Sequence, residues 1–143
     1  MIAEPYRILI VEDEPIIAMQ LGALVEELGC VAVGPAPDLQ TARKLLADEK
    51  PDGAILDISL KGDNSLPIAD ELVRLGKPWI FTTGYIADDL ESRYPDVPVV
   101  LKPFAFEQLG DLIVRMKLRR PLTGRVPASH RSGTLAVASA RAR

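Results

Sequence analysis

The sequence predicts an α/β protein in which helices cover both faces of a doubly wound, five-stranded parallel sheet. Two observations support this fold class. Short β-rich apolar runs alternate along the chain with stretches in which apolar residues recur at helical spacing, a pattern typical of parallel strands joined by right-handed crossovers. The chain has 143 residues, a length at which one domain is expected and can bury a core without disulfides.

The first part of the chain predicts a strand, a helix and a second strand. Arg7–Val11 is a short apolar run of the kind that lies buried between layers of helices. Apolar residues recur at helical spacing over Glu14–Leu28, and Gly29 is a typical helix end. Cys30–Val33 is the second predicted strand, which Gly34–Pro35 closes.

The middle of the chain continues the alternation. Asp38 is a suitable N-cap for a helix that ends before Pro51, because a residue that precedes proline avoids the helical conformation. Gly53–Asp57 is the third predicted strand. A loop over Ser59–Asn64 then leads to a third helix over Pro67–Leu75.

The last part predicts two more strands, Pro78–Thr82 and Val97–Leu101, and an amphipathic final helix over Phe104–Leu118. Between these strands only Ile86–Tyr94 could be helical, and its apolar face is small. A helix this short is marginal on its own, so we expect the fourth helix to be short, frayed or mobile. Pro121–Arg143 has no sustained periodicity, which predicts a disordered tail.

Charge is distributed unevenly along the chain. Residues 1–116 carry 10 Lys and Arg against 20 Asp and Glu, a net charge of −10, whereas residues 117–143 carry 7 basic residues and no acidic one. We interpret this as an acidic domain over residues 1–120 and a basic tail over residues 121–143. The tail lacks aromatic residues and a recognition-helix pattern, so a solvated extension is favoured over a flexible arm that binds nucleic acid, membrane or an acidic partner.

Several classes of protein are excluded or disfavoured. The single cysteine, Cys30, excludes an intrachain disulfide and a multi-cysteine metal cluster. No apolar run approaches the length of a membrane span, and Met1–Arg7 lacks the features of a signal peptide, so we expect a cytoplasmic protein. Neither a G-x-G-x-x-G run nor a P-loop is present, which counts against nucleotide binding.

Polar residues stand at the carboxyl ends of the predicted strands, where ligands bind in sheets of this class. Three carboxylates converging there would repel each other, and a hard divalent cation such as Mg²⁺ resolves that repulsion. Phosphoryl transfer can use two carboxylates to hold a metal ion and a third to attack phosphorus. It also needs groups that bind the phosphoryl oxygens, such as a lysine and a hydroxyl. The residues concerned are Glu12, Asp13 and Glu14 after the first strand, Asp57 at the end of the third, Thr82, Thr83 and Gly84 after the fourth, and Lys102 and Pro103 after the fifth.

Four segments, in this order, resemble those of a response-regulator receiver domain: Val11–Pro15, Ala54–Ser59, Phe81–Tyr85 and Leu101–Phe104. The resemblance covers residues from about Tyr6 to Leu118. It implies the flavodoxin-like fold of CheY-like proteins, with strand order 2-1-3-4-5, and a function in a two-component system.

The resemblance also implies roles for individual residues. Asp57 would accept the phosphoryl group from a histidine kinase. Thr83 would be the switch hydroxyl, because the small residue Gly84 follows it, and Lys102 would sense the phosphate through a side chain next to a cis bond to Pro103. The Mg²⁺ ligands would be Glu12, Asp13, Asp57 and the backbone carbonyl of Ser59.

The sequence departs from the family at the aromatic switch position, three residues before the lysine, which is Val99 here. Tyr85 is the candidate replacement, and a half-buried packing tyrosine is an equal alternative. The Phe81–Tyr85 run resembles an alphaproteobacterial receiver subgroup with a Phe-Ala-Thr-Gly-Tyr-like motif, with Thr82 in place of the alanine. Receivers of that subgroup are often paired with kinases of the HWE or a related type.

The predicted function is a stand-alone response regulator that catalyses only its own Mg²⁺-dependent phosphorylation and dephosphorylation. It would signal through protein contacts of the fourth helix, fifth strand and fifth helix, since nothing after Leu118 is long enough for an output or DNA-binding domain. A phosphorelay shuttle or a phosphate sink stays open as an alternative. A metal-dependent aspartyl phosphohydrolase is less favoured, because Ser59 stands where such an enzyme needs an acid to protonate the leaving group.

Overall fold

The computed structural model describes residues 4–84 and 90–119, apart from the side chain of Glu91. Three of the predictions concern residues outside these ranges, so they stay predictions. They are the disorder of the basic tail, the switch role of Tyr85 and the beginning of the fourth helix.

The fold class is confirmed: five strands form a parallel sheet in the hydrogen-bonding order β2-β1-β3-β4-β5. The strands are β1 (Arg7–Val11), β2 (Val31–Ala36), β3 (Gly53–Asp57), β4 (Trp79–Thr83) and β5 (Val99–Leu101). The helices are α1 (Pro15–Glu27), α2 (Leu39–Glu49), α3 (Leu66–Leu75), α4 (Leu90–Arg93) and α5 (Phe106–Arg119).

The chain forms two compact units, Met1–Trp79 and Ile80–Arg143. In the N-terminal unit, β1 lies between β2 and β3 and pairs with both in parallel. Residues 8–11 of β1 and all of β3 are buried, as expected for apolar runs covered by helices. The buried apolar residues of this unit also include Leu21 and Val25 of α1, Leu46 of α2 and Leu72 of α3.

β2 extends beyond the predicted Cys30–Val33 and runs to Ala36. Gly34–Pro35 therefore lies inside the strand, with a cis peptide bond, instead of ending it. Proline is tolerated here because β2 lies at the edge of the sheet and because its register with β1 shifts between Leu9 and Val11, opposite Gly34–Pro35. Gly34 has a φ of 101°, and a Cβ at this residue would lie 3.1 Å from the carbonyl oxygen of Ile10, so glycine is required.

The predicted ends of the first three helices are close to those observed. Pro15 occupies the first turn of α1, where its missing N–H costs nothing. Asp38 caps α2 by accepting a hydrogen bond of 2.7 Å from the N–H of Thr41, and this bond lowers the pKa of Asp38 below its ordinary value of 3.8. Lys50 and Gly76 end α2 and α3 in the left-handed conformation, with φ of 48° and 69°.

In the C-terminal unit, β4 and β5 pair in parallel with Phe81 opposite Val99. β4 lies one residue later than the predicted Pro78–Thr82. β5 is shorter than the predicted Val97–Leu101, because it begins only at Val99. The later start of β5 follows from Pro98, which has no N–H to donate. Its carbonyl still accepts a hydrogen bond of 2.9 Å from the N–H of Phe81.

Between β4 and β5, Leu90–Arg93 is helical within the described residues and forms α4. The shortness expected of this helix stays a prediction, because its beginning lies outside those residues. Leu90 and Tyr94 are both buried. The ring of Tyr94 meets that of Phe81 edge to face, with the ring centroids 5.4 Å apart. Helix α5 begins at Phe106, two residues later than predicted, and it buries the predicted apolar residues Leu109, Leu112, Ile113 and Met116.

Within residues 4–84 and 90–119, the helices are too short or too polar to cross a membrane.

Candidate functional site

Three carboxylates converge at the carboxyl ends of β1 and β3. Glu12 and Asp13 follow β1, and Asp57 is the last residue of β3. The two strands are in parallel register with Val11 opposite Leu56, which brings the residues after them to the same edge of the sheet. One carboxylate oxygen from each of the three residues lies within 4.8 Å of the others.

Burial increases the electrostatic cost of this arrangement. Glu12 and Asp57 are 1% and 4% exposed, whereas Asp13 is half-buried. Like charges held this close in a partly dry environment repel strongly unless a cation balances them.

Backbone N–H groups hold two of the carboxylates in place. One oxygen of Glu12 accepts a hydrogen bond of 3.1 Å from the N–H of Glu14, and one oxygen of Asp13 accepts a hydrogen bond of 2.9 Å from the N–H of Lys61. The N–H of Glu12 donates in turn to the carbonyl of Ala36, at 3.0 Å. The site is therefore oriented by the beginning of α1 and by the segment that follows Asp57.

That segment is the main feature that the sequence pattern does not predict. A loop is expected over Ser59–Asn64, but Ser59–Leu60 and Asp63–Asn64 pair as a two-stranded antiparallel hairpin. Lys61 and Gly62 form its tip, and Gly62 has a φ of 71°. Glycine is favoured at a turn position that needs a positive φ, so Gly62 is the one local signal for a turn in this segment, and it does not indicate that the flanking residues pair.

The donor set suits a hard divalent cation. Mg²⁺ takes carboxylate and carbonyl oxygens and completes its shell with water and phosphate oxygens. Glu12, Asp13 and Asp57 supply three such oxygens close together in the described part of the chain. Ser59 lies at the first position of the hairpin, two residues after Asp57, and the role of its carbonyl as a ligand stays a prediction.

The C-terminal unit brings together the other two predicted site residues. Thr83 ends β4 opposite Leu101, and the N–H of Lys102 donates a hydrogen bond of 2.8 Å to the carbonyl of Thr83. Thr83 is buried and Lys102 is half-buried. The peptide bond between Lys102 and Pro103 is cis, as predicted.

Thr82 and Val99 lie within the described residues, whereas Tyr85 does not. Thr82 is fully buried, and its hydroxyl has no hydrogen-bond partner among the described residues. Val99, at the position where the family has an aromatic residue, is buried in β5. Tyr85 lies outside the described residues, so its replacement of that aromatic residue stays a prediction.

Comparison with protein families gives one extended match. The sequence model of the response regulator receiver domain matches residues 8–114. This range includes nearly all of the five-stranded sheet and all the residues of the acidic site.

Relatives with curated descriptions share the same region. The chain is 33% identical over 120 residues to the transcriptional regulatory protein PdtaR of Mycobacterium tuberculosis, covering 81% of this chain and 57% of that protein. It is 41% identical over 102 residues to the phyllosphere-induced regulator PhyR of Methylorubrum extorquens, covering 68% of this chain and 38% of that protein. The chain thus spans about half the length of the curated relatives it matches.

A solved structure matches the chain over nearly all of that structure's own length. The solution structure of SdrG from Sphingomonas melonis Fr1 is 36% identical and superposes with a TM-score of 0.69. The match covers 80% of this chain and 98% of that one.

Proposed function

The chain belongs to the response regulator receiver domain family, and we propose that it is a stand-alone phosphorylation switch in which Asp57 accepts a phosphoryl group from a histidine kinase. The observation that carries this proposal is the convergence of Glu12, Asp13 and Asp57 at one edge of the sheet. Receiver domains are signalling switches rather than enzymes that turn over external substrates. We propose that this chain, too, is a signalling switch and does not turn over external substrates.

In this proposal, a carboxylate oxygen of Asp57 attacks the phosphorus of the kinase's phosphohistidine, the P–N bond breaks, the imidazole leaves, and an acyl phosphate forms on Asp57. Glu12, Asp13, Asp57 and the carbonyl of Ser59 would hold Mg²⁺, which when bound neutralises the carboxylates and the phosphoryl oxygens. The same site would catalyse phosphorylation by small phosphodonors and the hydrolysis of the acyl phosphate. Hydrogen bonds from Glu14 and Lys61 to the acidic pair keep the two carboxylates oriented before the reaction.

Thr83 and Lys102 would read the new charge, the first through its hydroxyl and the second through its ammonium group. Support for this pairing comes from the hydrogen bond between their backbones, since a shift of either residue is transmitted to the other. We further propose that the chain belongs to the receiver subgroup with a Phe-Ala-Thr-Gly-Tyr-like motif, because Phe81–Tyr85 reads Phe-Thr-Thr-Gly-Tyr. Its kinase would then be of the HWE or a related type.

The output would be a change in affinity for a protein partner that contacts α4, β5 and α5. Helix α5 supports this assignment, because it exposes three large apolar residues, Phe106, Val114 and Leu118, at 41%, 40% and 73%. Val114 and Leu118 are four residues apart and are therefore neighbours on the helix surface, and contiguous exposed apolar side chains are typical of protein-binding surfaces.

Phosphorylation by a small donor tests the proposal in the absence of any kinase. The full chain is incubated with acetyl phosphate and Mg²⁺, and its intact mass is measured. We expect the wild type to gain one phosphoryl group only when Mg²⁺ is present, and Asp57→Asn to gain none. Asp63→Asn, which changes an exposed aspartate of the hairpin, is the matched control and should be labelled like the wild type. Labelling of Asp57→Asn to the level of the wild type, or no labelling of the wild type, would refute the proposal.

A further inference from the structure

A cleft between α2 and α3 in the N-terminal unit is separate from the acidic site. Its volume is about 520 Å³, within the range of pockets that hold small organic ligands. Its apolar lining includes Leu46 and Pro51, which are both buried, and Leu75, which is exposed at its edge. Asp57 and the acidic pair do not line it.

The charge of this cleft is opposite to that of the protein around it. Residues 1–116 contain 10 Lys and Arg against 20 Asp and Glu. Four of those 10 cations line the cleft, whereas Glu71 is the one acidic residue among its described lining. The four cations are Arg43, Lys50, Arg74 and Lys77.

Only one of these cations is matched by an acid. Arg74 forms a salt bridge with Glu71, and this contact together with the charge of Arg43 lowers the pKa of Glu71, so that Glu71 is ionised at neutral pH. Among the described residues, Arg43, Lys50 and Lys77 form no salt bridge. The cleft therefore has an excess of three positive charges beside an apolar surface.

Lys50 occupies a backbone conformation that favours glycine. Its φ is 48°, in the left-handed region, and Gly76 ends the neighbouring helix in the same region with a φ of 69°. A side chain at such a position raises the conformational energy, which glycine avoids. A lysine near a helix C-terminus also interacts favourably with the helix dipole. The helix dipole therefore favours a cation at Lys50, but it does not account for Arg43, which lies in the middle of α2.

We propose that this cleft binds a small organic anion with an apolar body. Its anionic group would be held by Lys50, Lys77 and Arg43, and its apolar part would lie against Leu46 and Pro51. The net charge of the rest of the domain favours a small ligand over a polyanion. A long acidic chain would extend into the negative field around the cleft, whereas a compact anion is held by cations well within one Debye length, about 10 Å at 0.1 M salt.

Binding of anilinonaphthalene sulfonate to the full chain tests the proposal, by fluorescence titration and by ¹⁵N–¹H chemical-shift mapping. We expect saturable binding that weakens with added salt and shifts the amide signals of α2 and α3. Lys50→Gly should weaken binding by about threefold, as should Lys77→Gln, and the double variant by about tenfold. Phenylnaphthylamine, which has the same rings without the sulfonate, should bind more weakly than the sulfonate.

Lys50→Gly separates binding from folding, because glycine relieves the left-handed conformation and the variant should melt at or above the temperature of the wild type. Lys44→Gln is the matched control, since Lys44 is an exposed lysine of α2 that does not line the cleft. Equal affinities for wild type, Lys50→Gly and Lys77→Gln would overturn the proposal, as would shifts confined to other elements. Displacement of the probe by poly-glutamate at matched charge concentration would identify an acidic protein segment as the occupant and would overturn the assignment to a small anion.

Discussion

Asp57→Asn should stabilise the metal-free protein, because it removes a charge from a cluster that repels itself. The oxygens of Glu12, Asp13 and Asp57 lie within 4.8 Å of each other. At that separation two unit charges repel by about 0.9 kcal/mol at the dielectric constant of water and by about 3.5 kcal/mol at an effective value of 20. Asp57 takes part in two of the three pairs, and Asp13 is partly solvated, so we expect a net gain on the order of 2 kcal/mol.

Thermal unfolding at neutral pH and low salt, with EDTA present, measures this gain. For a domain of this size, about 2 kcal/mol corresponds to a rise in Tm of roughly 5–10 °C. Added Mg²⁺ should raise the Tm of the wild type more than the Tm of Asp57→Asn, because the wild type keeps all three carboxylates. Asp111→Asn removes an exposed aspartate of α5 outside the cluster and serves as the control.

Two results would refute the reasoning. If Asp57→Asn melts at or below the temperature of the wild type in EDTA, the three carboxylates do not repel each other as their distances indicate. If Mg²⁺ stabilises the wild type and Asp57→Asn equally, Asp57 does not share a cation with the acidic pair.

Three further outcomes follow from the contacts described above. Asp13→Ala should speed amide exchange of Lys61 by about fivefold, the scale of one lost hydrogen bond, and unchanged exchange would mean that Asp13 does not hold the hairpin. Asp38→Ala should lower the urea midpoint at neutral pH, whereas Asp38→Asn should keep most of the stability. Because folding lowers the pKa of Asp38, its contribution to stability is present above pH 3.8 and is lost as the pH falls through the folded pKa. The difference in urea midpoint between wild type and Asp38→Ala should therefore narrow in acid. A difference that stays constant with pH would contradict this. A double-mutant cycle with Phe81→Leu and Tyr94→Leu should give a coupling energy of about 0.5–1.5 kcal/mol in chemical denaturation, and additive effects would show that the ring contact contributes nothing.

Much of the fold is encoded in local patterns. Gly53–Asp57 was predictable because an apolar run that is buried on both faces has no alternative to the centre of a parallel sheet. The N-cap at Asp38 was predictable because a side-chain oxygen before an amphipathic run has one local partner, the N–H three residues later. The convergence of Asp57 with Glu12 and Asp13 was predictable because the carboxyl ends of parallel strands meet at one edge of the sheet.

The features that were missed depend on neighbours far away in the sequence. The continuation of β2 through Gly34–Pro35 is tolerated only at a sheet edge, and the local sequence does not show which strand lies there. The N–H of Lys61 donates a hydrogen bond to Asp13, 48 residues earlier in the chain. Almost every residue has a backbone N–H, so the sequence does not indicate which one makes this contact. The cleft between α2 and α3 is lined by two cations on or after α2, Arg43 and Lys50, and by two on or after α3, Arg74 and Lys77, and the two pairs are about two dozen or more positions apart in the sequence.

The central claim is that Asp57 carries the phosphoryl group, and chemical mapping of that group tests it most directly. The full chain is treated with acetyl phosphate and Mg²⁺ and then reduced with borohydride, which converts a phosphorylated aspartate to homoserine, and its peptides are analysed by mass spectrometry. We expect homoserine at residue 57 alone, and none when EDTA replaces Mg²⁺. Homoserine in place of Asp13, Asp52 or Asp63, with Asp57 unmodified, would contradict the claim.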